Sequence, residues 1–167
     1  MITHGPQPPE PPFDLRWGIK RSFRDYVTAL KDGTRQIADG ADESATGEFR
    51  FPLADTSRFS LTNHTGVVRF RGRVEFGGHM GMLYVRISDP WLHVSSDDVE
   101  LTIADGDLGG RLSLVQQHDG IETSLNDRYQ QLVIRQPKLT EAGTAVFGEV
   151  YDTGDVFDEI CVTVPLP

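Results

Sequence analysis

The sequence predicts a mainly β domain, either a β-sandwich of the immunoglobulin-like kind or a flattened barrel, with one N-terminal α-helix. Three observations predict it. Apolar residues alternate with polar ones at period two in several short runs, the pattern of strands with one face buried. Glycine- and aspartate-rich turn signals separate those runs. A single stretch near the N-terminus repeats its apolar residues at helical spacing instead. Many short strands behind one helix belong to sandwich and barrel architectures.

Residues 1–13 read as a proline-rich leader, extended and poorly ordered, since residues 1–12 hold five of the ten prolines. Residues 14–167 then read as one domain. Asp14 is a candidate N-cap. Leu15, Ile19, Phe23, Tyr26, Val27 and Leu30 follow at helical spacing, and Gly33 can end the helix, which is expected over about residues 15–31. Residues 32–48 carry weak periodicity, with short strands possible around a tip at Asp39-Gly40-Ala41-Asp42. Val68, Phe70, Val74 and Phe76 alternate with Arg69, Arg71, Arg73 and Glu75, which reads as one half-buried strand. Leu83–Ile87 is another, stopped by Ser88-Asp89-Pro90. Val99, Leu101 and Ile103 mark a further one. Strands are also expected at 111–117, 129–136, 144–151 and 158–164. Turn signals at 105–107, 118–120 and 152–155 separate them. No repeat of the length used by solenoids or propellers is visible.

Composition narrows the function. A length of 167 residues, 38% of them hydrophobic and 25% charged, supports a folded domain with its own core. The net charge of −9 disfavours nucleic-acid binding and adsorption to anionic membranes, because both need clustered Lys and Arg. No apolar run is long enough for a membrane helix, so no membrane insertion is expected. The N-terminus lacks a basic start and an apolar core. On the sequence as given the expected location is cytoplasmic, and it becomes the cell surface or the medium if the chain is a trimmed one. The single cysteine, Cys161, lies in a strand-like run and reads as a small apolar residue; it excludes an internal disulfide and multi-cysteine metal sites.

Several motifs are absent. There is no Gly-x-Ser-x-Gly elbow and no His-Glu-x-x-His. Gly77-Gly78-His79-Met80-Gly81 joins two strands and lacks the helix and lysine of a phosphate loop. Asp105-Gly106-Asp107 lacks the later glutamate of a calcium loop. His4, His64, His79, His93 and His118 are scattered without zinc spacing. Two features remain. Ser22 and Tyr26 share one helix face, where periodicity alone makes Tyr26 an ordinary amphipathic core residue. His79 sits in a glycine-rich hairpin tip.

Trp17-Gly18-Ile19-Lys20-Arg21-Ser22-Phe23-Arg24-Asp25-Tyr26-Val27 resembles the opening of the HtaA domain, a haem-binding module of actinobacterial haem-uptake proteins. Val68 to Leu83, with Gly77-Gly78-His79-Met80-Gly81 at its end, resembles the family's central hairpin, and Ile87-Ser88-Asp89-Pro90 the strand end after it. Phe147-Gly148-Glu149-Val150-Tyr151-Asp152-Thr153-Gly154 resembles its closing segment, although Asp158-Glu159 stands where Asp-Pro is more usual. The resemblance spans about residues 14–164. It implies non-catalytic binding and transfer of ferric haem b, with Tyr26 as iron ligand, His79 hydrogen-bonded to it, Ser22 at the pocket and Phe147 as an apolar wall. Haem propionates would need cations, and Lys20, Arg21, Arg24, Arg69, Arg71 and Arg73 are the candidates. Implied partners are haem, other haem-uptake proteins or a haem acceptor, and an open apolar groove would suit a homodimer. Two alternatives come from other classes. One is a haem-dependent peroxidase or catalase-like enzyme, since catalase also uses a tyrosine ligand. The other is an adhesion or carbohydrate-binding module without haem, with Trp17 and Trp91 as stacking platforms.

Overall fold

Strand β1 (Asp14–Trp17) lies between β4 (Phe49–Ser60) and β14 (Ile160–Pro165), antiparallel to both. It overturns the start of the expected helix. Leu15, Trp17 and Ile19 are spaced by two as well as by helical steps, and all are fully buried. The computed structural model describes residues 12–166, except 97, 107, 108 and 119. The expected leader lies almost wholly outside the described residues, as do parts of the turns at 105–107 and 118–120. Asp14 is a buried strand residue rather than a helix cap.

The helix α1 is shorter than its pattern, Arg21–Ala29. Gly18 explains the delay. A Cβ there would stand 2.3 Å from the Arg24 guanidinium, and Ile19 turns the chain with a φ of 66°. The residue preceding the helix, Lys20, makes no side-chain cap. Asp158 supplies one from the far end of the chain: its Oδ1 accepts from the Arg21 N–H at 3.1 Å, and its carbonyl accepts from Trp17 Nε1 at 2.8 Å. The helix closes where Leu30 becomes extended. Gly33 must be glycine there, because a Cβ would lie 2.0 Å from the Val27 carbonyl oxygen.

The run 68–76, expected as one strand, is two. β5 (Thr65–Phe70) joins the large sheet and β6 (Arg73–Gly78) a small one. The break falls at Gly72, whose φ of +125° and close approach to Ala41 exclude a side chain. β6 is flanked by β2 (Thr34–Ala38) and β7 (Leu83–Ser88) in this 3-stranded sheet.

The large sheet also contains β3 (Asp42–Glu43), β8 (Trp91–Ser95), β9 (Asp98–Asp105), β10 (Gly110–Gln117), β11 (Glu122–Leu125), β12 (Tyr129–Ile134) and β13 (Lys138–Leu139). Its order is β11-β12-β14-β1-β4-β5-β8-β9-β10-β13, with β3 on β4. β4 bends the sheet, pairing β1 through Phe49–Pro52 and β5 through Leu53–Ser60 with two register shifts. The chain then steps from β12, near one end of the order, to β13 at the other through residues 135–137 alone. That step requires the sheet to curl on itself, so the expected flattened barrel describes the architecture. The expected strand over 144–151 is absent. Its place is taken by helix α2 (Glu141–Val146), capped by Thr140 Oγ1 accepting from the Gly143 N–H at 2.8 Å, followed by a turn.

Candidate functional site

Helix α1 presents two adjacent faces. Phe23 and Val27, four residues apart, are buried. Phe23 packs edge-on against Phe76 of β6 at 5.0 Å between ring centroids and against Phe147 at 5.3 Å. Burial of that kind stabilises by roughly 1.5–3 kcal/mol per side chain, and it fixes the helix on the small sheet. Ser22 and Tyr26 are thereby turned outward, over a groove of about 650 Å³. Its base is Phe23 and the almost fully buried Phe147, and its rim includes the exposed Met82 and Val150.

All four side chains expected at a site, Tyr26, His79, Ser22 and Phe147, line this groove. Phe147 is only 1% exposed, so it lies beneath the groove as a floor rather than standing free as a wall. It gets there from the turn after α2, not from a strand. Tyr26, by contrast, is 47% exposed. Its hydroxyl and Nε2 of His79 share a hydrogen bond across the mouth, with the two rings tilted at 47°.

His79 reaches Tyr26 from a tight turn, His79–Gly81, between β6 and β7. The turn is conformationally costly. His79 has φ 49° and Met80 φ 57°, a region that disfavours side-chain-bearing residues by roughly 1–2 kcal/mol each. Asp32, just beyond α1, compensates. Its Oδ1 accepts from the His79 N–H at 3.1 Å and its Oδ2 from the Met80 N–H at 2.7 Å. The Met80 N–H above all, with that of His79, holds the Asp32 carboxyl below the usual carboxylate range.

Tyr151 is a second phenol on the groove. Burial pushes its ionisation up, while a hydrogen bond with Ser22 works against that shift. Sequence reading missed Asp32 and Tyr151 as site residues. Tyr151 lies inside the Phe147–Gly154 segment, and an aromatic in a closing segment that also supplies the floor is the available signal. Asp32 carried none, because its contacts are 47 and 48 positions away.

None of the six candidate cations lines the groove. Lys20 approaches one of the groove's residues, its Nζ 5.5 Å from the Tyr151 ring centroid while donating to the Val156 carbonyl at 2.7 Å. Arg24 donates to the carbonyls of Gly18 and Gly47. Arg21 faces a separate, charged groove. Arg69 stacks on Trp91, Arg73 pairs with Asp39 and Glu75, and Arg71 lies beside Gly40. The Arg69–Trp91 contact, with Arg111 on Trp91 at 3.8 Å, and the full burial of Trp17 occupy both tryptophans structurally. Among the described residues no group of His, Cys, Asp or Glu could hold a bare metal ion, and no helix is long and apolar enough to cross a membrane.

The Htaa family (HtaA) matches the chain over residues 13–163. Among solved structures the chain is similar to the C-terminal domain of HtaA from Corynebacterium glutamicum, with a TM-score of 0.76 and 22% identity over 92% of this chain and 96% of that one. The N-terminal domain of the same protein gives 0.69 and 24%, over 92% and 97%. The heme binding protein HtaB of that organism gives 0.62 and 17%, over 92% and 93%. At these identities the likeness speaks for the fold. No curated protein matches the chain.

Proposed function

The chain belongs to the HtaA family, and we propose that it binds ferric haem in the groove beneath Tyr26, without catalysis, for capture and transfer. One observation carries the reading: a half-exposed tyrosine, its hydroxyl hydrogen-bonded to a histidine, stands at the mouth of a mainly apolar groove. The HtaB relative in fold, a heme binding protein by name, supports it. The groove's size falls within the roughly 300–1,000 Å³ of cofactor sites. Its phenylalanine base suits a flat apolar face, and the phenolic oxygen of the half-exposed Tyr26 suits a hard cation.

The ferric centre supplies a positive charge that favours phenolate over phenol, whose ordinary ionisation lies near pH 10. Tyr26 supplies the oxygen, from a helix held by its buried Phe23 and Val27. His79, as an Nε2–H donor, fixes a lone pair of that oxygen and tempers its basicity. A partly satisfied phenolate holds its cargo less tightly than a bare one, which suits handover. Ser22 and Tyr151 add two further hydroxyl-bearing side chains to the lining of the groove. Among the six cations, Lys20 is best placed to reach a carboxylate at the rim.

Titration of the protein with hemin, followed in the visible spectrum, tests this. Tyr26→Phe keeps the ring and removes the oxygen. It should lose most of the affinity and change the spectrum. A variant that binds as tightly as wild type with the same spectrum would remove Tyr26 as ligand. Failure of the wild type to bind hemin at micromolar concentration would sink the haem reading.

A further inference from the structure

We propose that Asp32 is a positioning residue for this site, setting His79 against Tyr26 through the backbone of the turn and so governing how long haem stays bound. The inference rests on the haem-binding reading above. Both oxygens of Asp32 are committed to consecutive amides, at 3.1 Å and 2.7 Å. Those amides belong to the two residues whose left-handed φ angles, 49° and 57°, aim the imidazole. Within the turn the Met82 N–H donates to the His79 carbonyl at 3.1 Å, and that bond does not involve the amides that Asp32 holds. The turn is also built to meet this segment. A Cβ on Gly78 would stand 2.7 Å from Leu30 Cδ1 and 3.8 Å from Asp32 Oδ1, so glycine is what lets the end of β6 come down onto residues 30–32.

The chain order gives the contact its meaning. Tyr26 rides on α1, and Asp32 follows three residues beyond the helix end at Ala29. The carboxylate therefore ties the helix that carries the ligand to the turn that carries its partner. His79 is exposed, and the packing of its own side chain does not explain its direction. Without the two bonds from Asp32 the turn is free to relax toward ordinary negative φ, which carries the imidazole away from the Tyr26 oxygen.

The test is a double-mutant cycle on hemin release, with apomyoglobin as acceptor, using Asp32→Ala, His79→Ala and the double variant. Asp32→Ala should release hemin about 10-fold faster, the usual effect of losing a partner that orients a ligand. Its visible spectrum should move toward that of His79→Ala. In the His79→Ala background the same change should add less than about 2-fold, because its target is gone. Release at the wild-type rate, or equal acceleration in both backgrounds, overturns the proposal. Asp32→Asn keeps the shape and one acceptor oxygen, and answers the question should Asp32→Ala fold poorly. It should give intermediate release, and a wild-type rate and spectrum there also count against the proposal. The two readings fail separately: Tyr26-dependent binding with wild-type release in the Asp32 variants sinks only this inference, whereas binding indifferent to Tyr26 sinks the haem-ligand assignment beneath it.

Discussion

Tyr26 and His79 lie 53 positions apart and meet only because α1 and the β6–β7 turn converge on one groove. Periodicity could not pick either out, since a tyrosine beside Phe23 and Val27 reads as core and a histidine between glycines reads as loop. The family resemblance selected them, along with Ser22 and Phe147. What stayed illegible is how they are held, because Asp32 acts through backbone amides that no side-chain pattern records. A second aspartate makes a sharper residue-level case. Asp14 is 5% exposed, and its Oδ2 is buried without a partner. Burial raises its ionisation, against the pull of Arg16 and Arg50 and with Asp42 adding to it. A carboxyl that holds its proton more tightly in the folded chain loses stability as pH rises from the ordinary carboxylate range, near 4, through its folded value, and the loss persists above it. Asp14→Asn should therefore raise Tm at pH 7, by about 2–4 °C for about 1 kcal/mol in a chain of this length. The gain should vanish below about pH 4, where both states are protonated. Thermal melts of the two proteins at pH 7 and pH 3.5 check it, and a gain that persists in acid would mean the charge is not its cause.

At the scale of elements, the strands with clean alternation were legible. Leu83–Ile87 and Val99–Ile103 fall within β7 and β9. Two errors had physical causes. Leu15 to Leu30 fits helical spacing, yet its first part is a central strand, because Gly18 and Ile19 break the chain between two runs that happen to share a phase. The apolar residues of 144–151 suggested a strand, but Thr140 caps a helix just before them, and a threonine followed by Glu141-Ala142 is a start signal that alternation cannot register. That cap matters beyond α2. Thr140 Oγ1 donates to the Ser113 carbonyl at 2.7 Å while accepting from Gly143 N–H at 2.8 Å, and the helix it anchors delivers Phe147 to the groove floor. Thr140→Ala should cost about 1–2 kcal/mol in denaturant unfolding and weaken hemin binding through a displaced floor. Thr140→Ser, which keeps the hydroxyl, should retain most of both. Equal losses in the two variants would show that packing of the methyl group, not the hydroxyl, holds the helix.

At the scale of the molecule, the groove is not an appendage. Phe23, Phe76, Phe147 and Phe157 belong to the same buried cluster as Trp17, Leu15 and Val162 of the curled sheet. Trp17 touches that aromatic floor through Phe157, at 6.4 Å between centroids, and Phe157 meets Phe147 at 5.1 Å. A site whose base is the core cannot come apart while the core stays packed, so site and sheet should unfold as one cooperative unit. A ligand that binds only the folded chain then stabilises all of it. At a free hemin concentration 100 times Kd the linkage is worth about 2.7 kcal/mol, or about 5–10 °C in Tm for a chain of this size. Far-UV circular dichroism, which follows the strands, and the haem absorbance, which follows the groove, should lose their signals at the same temperature. Tyr26→Phe should keep the melting of the free protein close to wild type, because the hydroxyl is at the surface, and should lose most of the hemin-induced rise. A haem band that disappears well below the melting of the sheet would mean that α1 and the His79 turn open on their own. The shared phenylalanine floor would then be a contact between two units rather than one core.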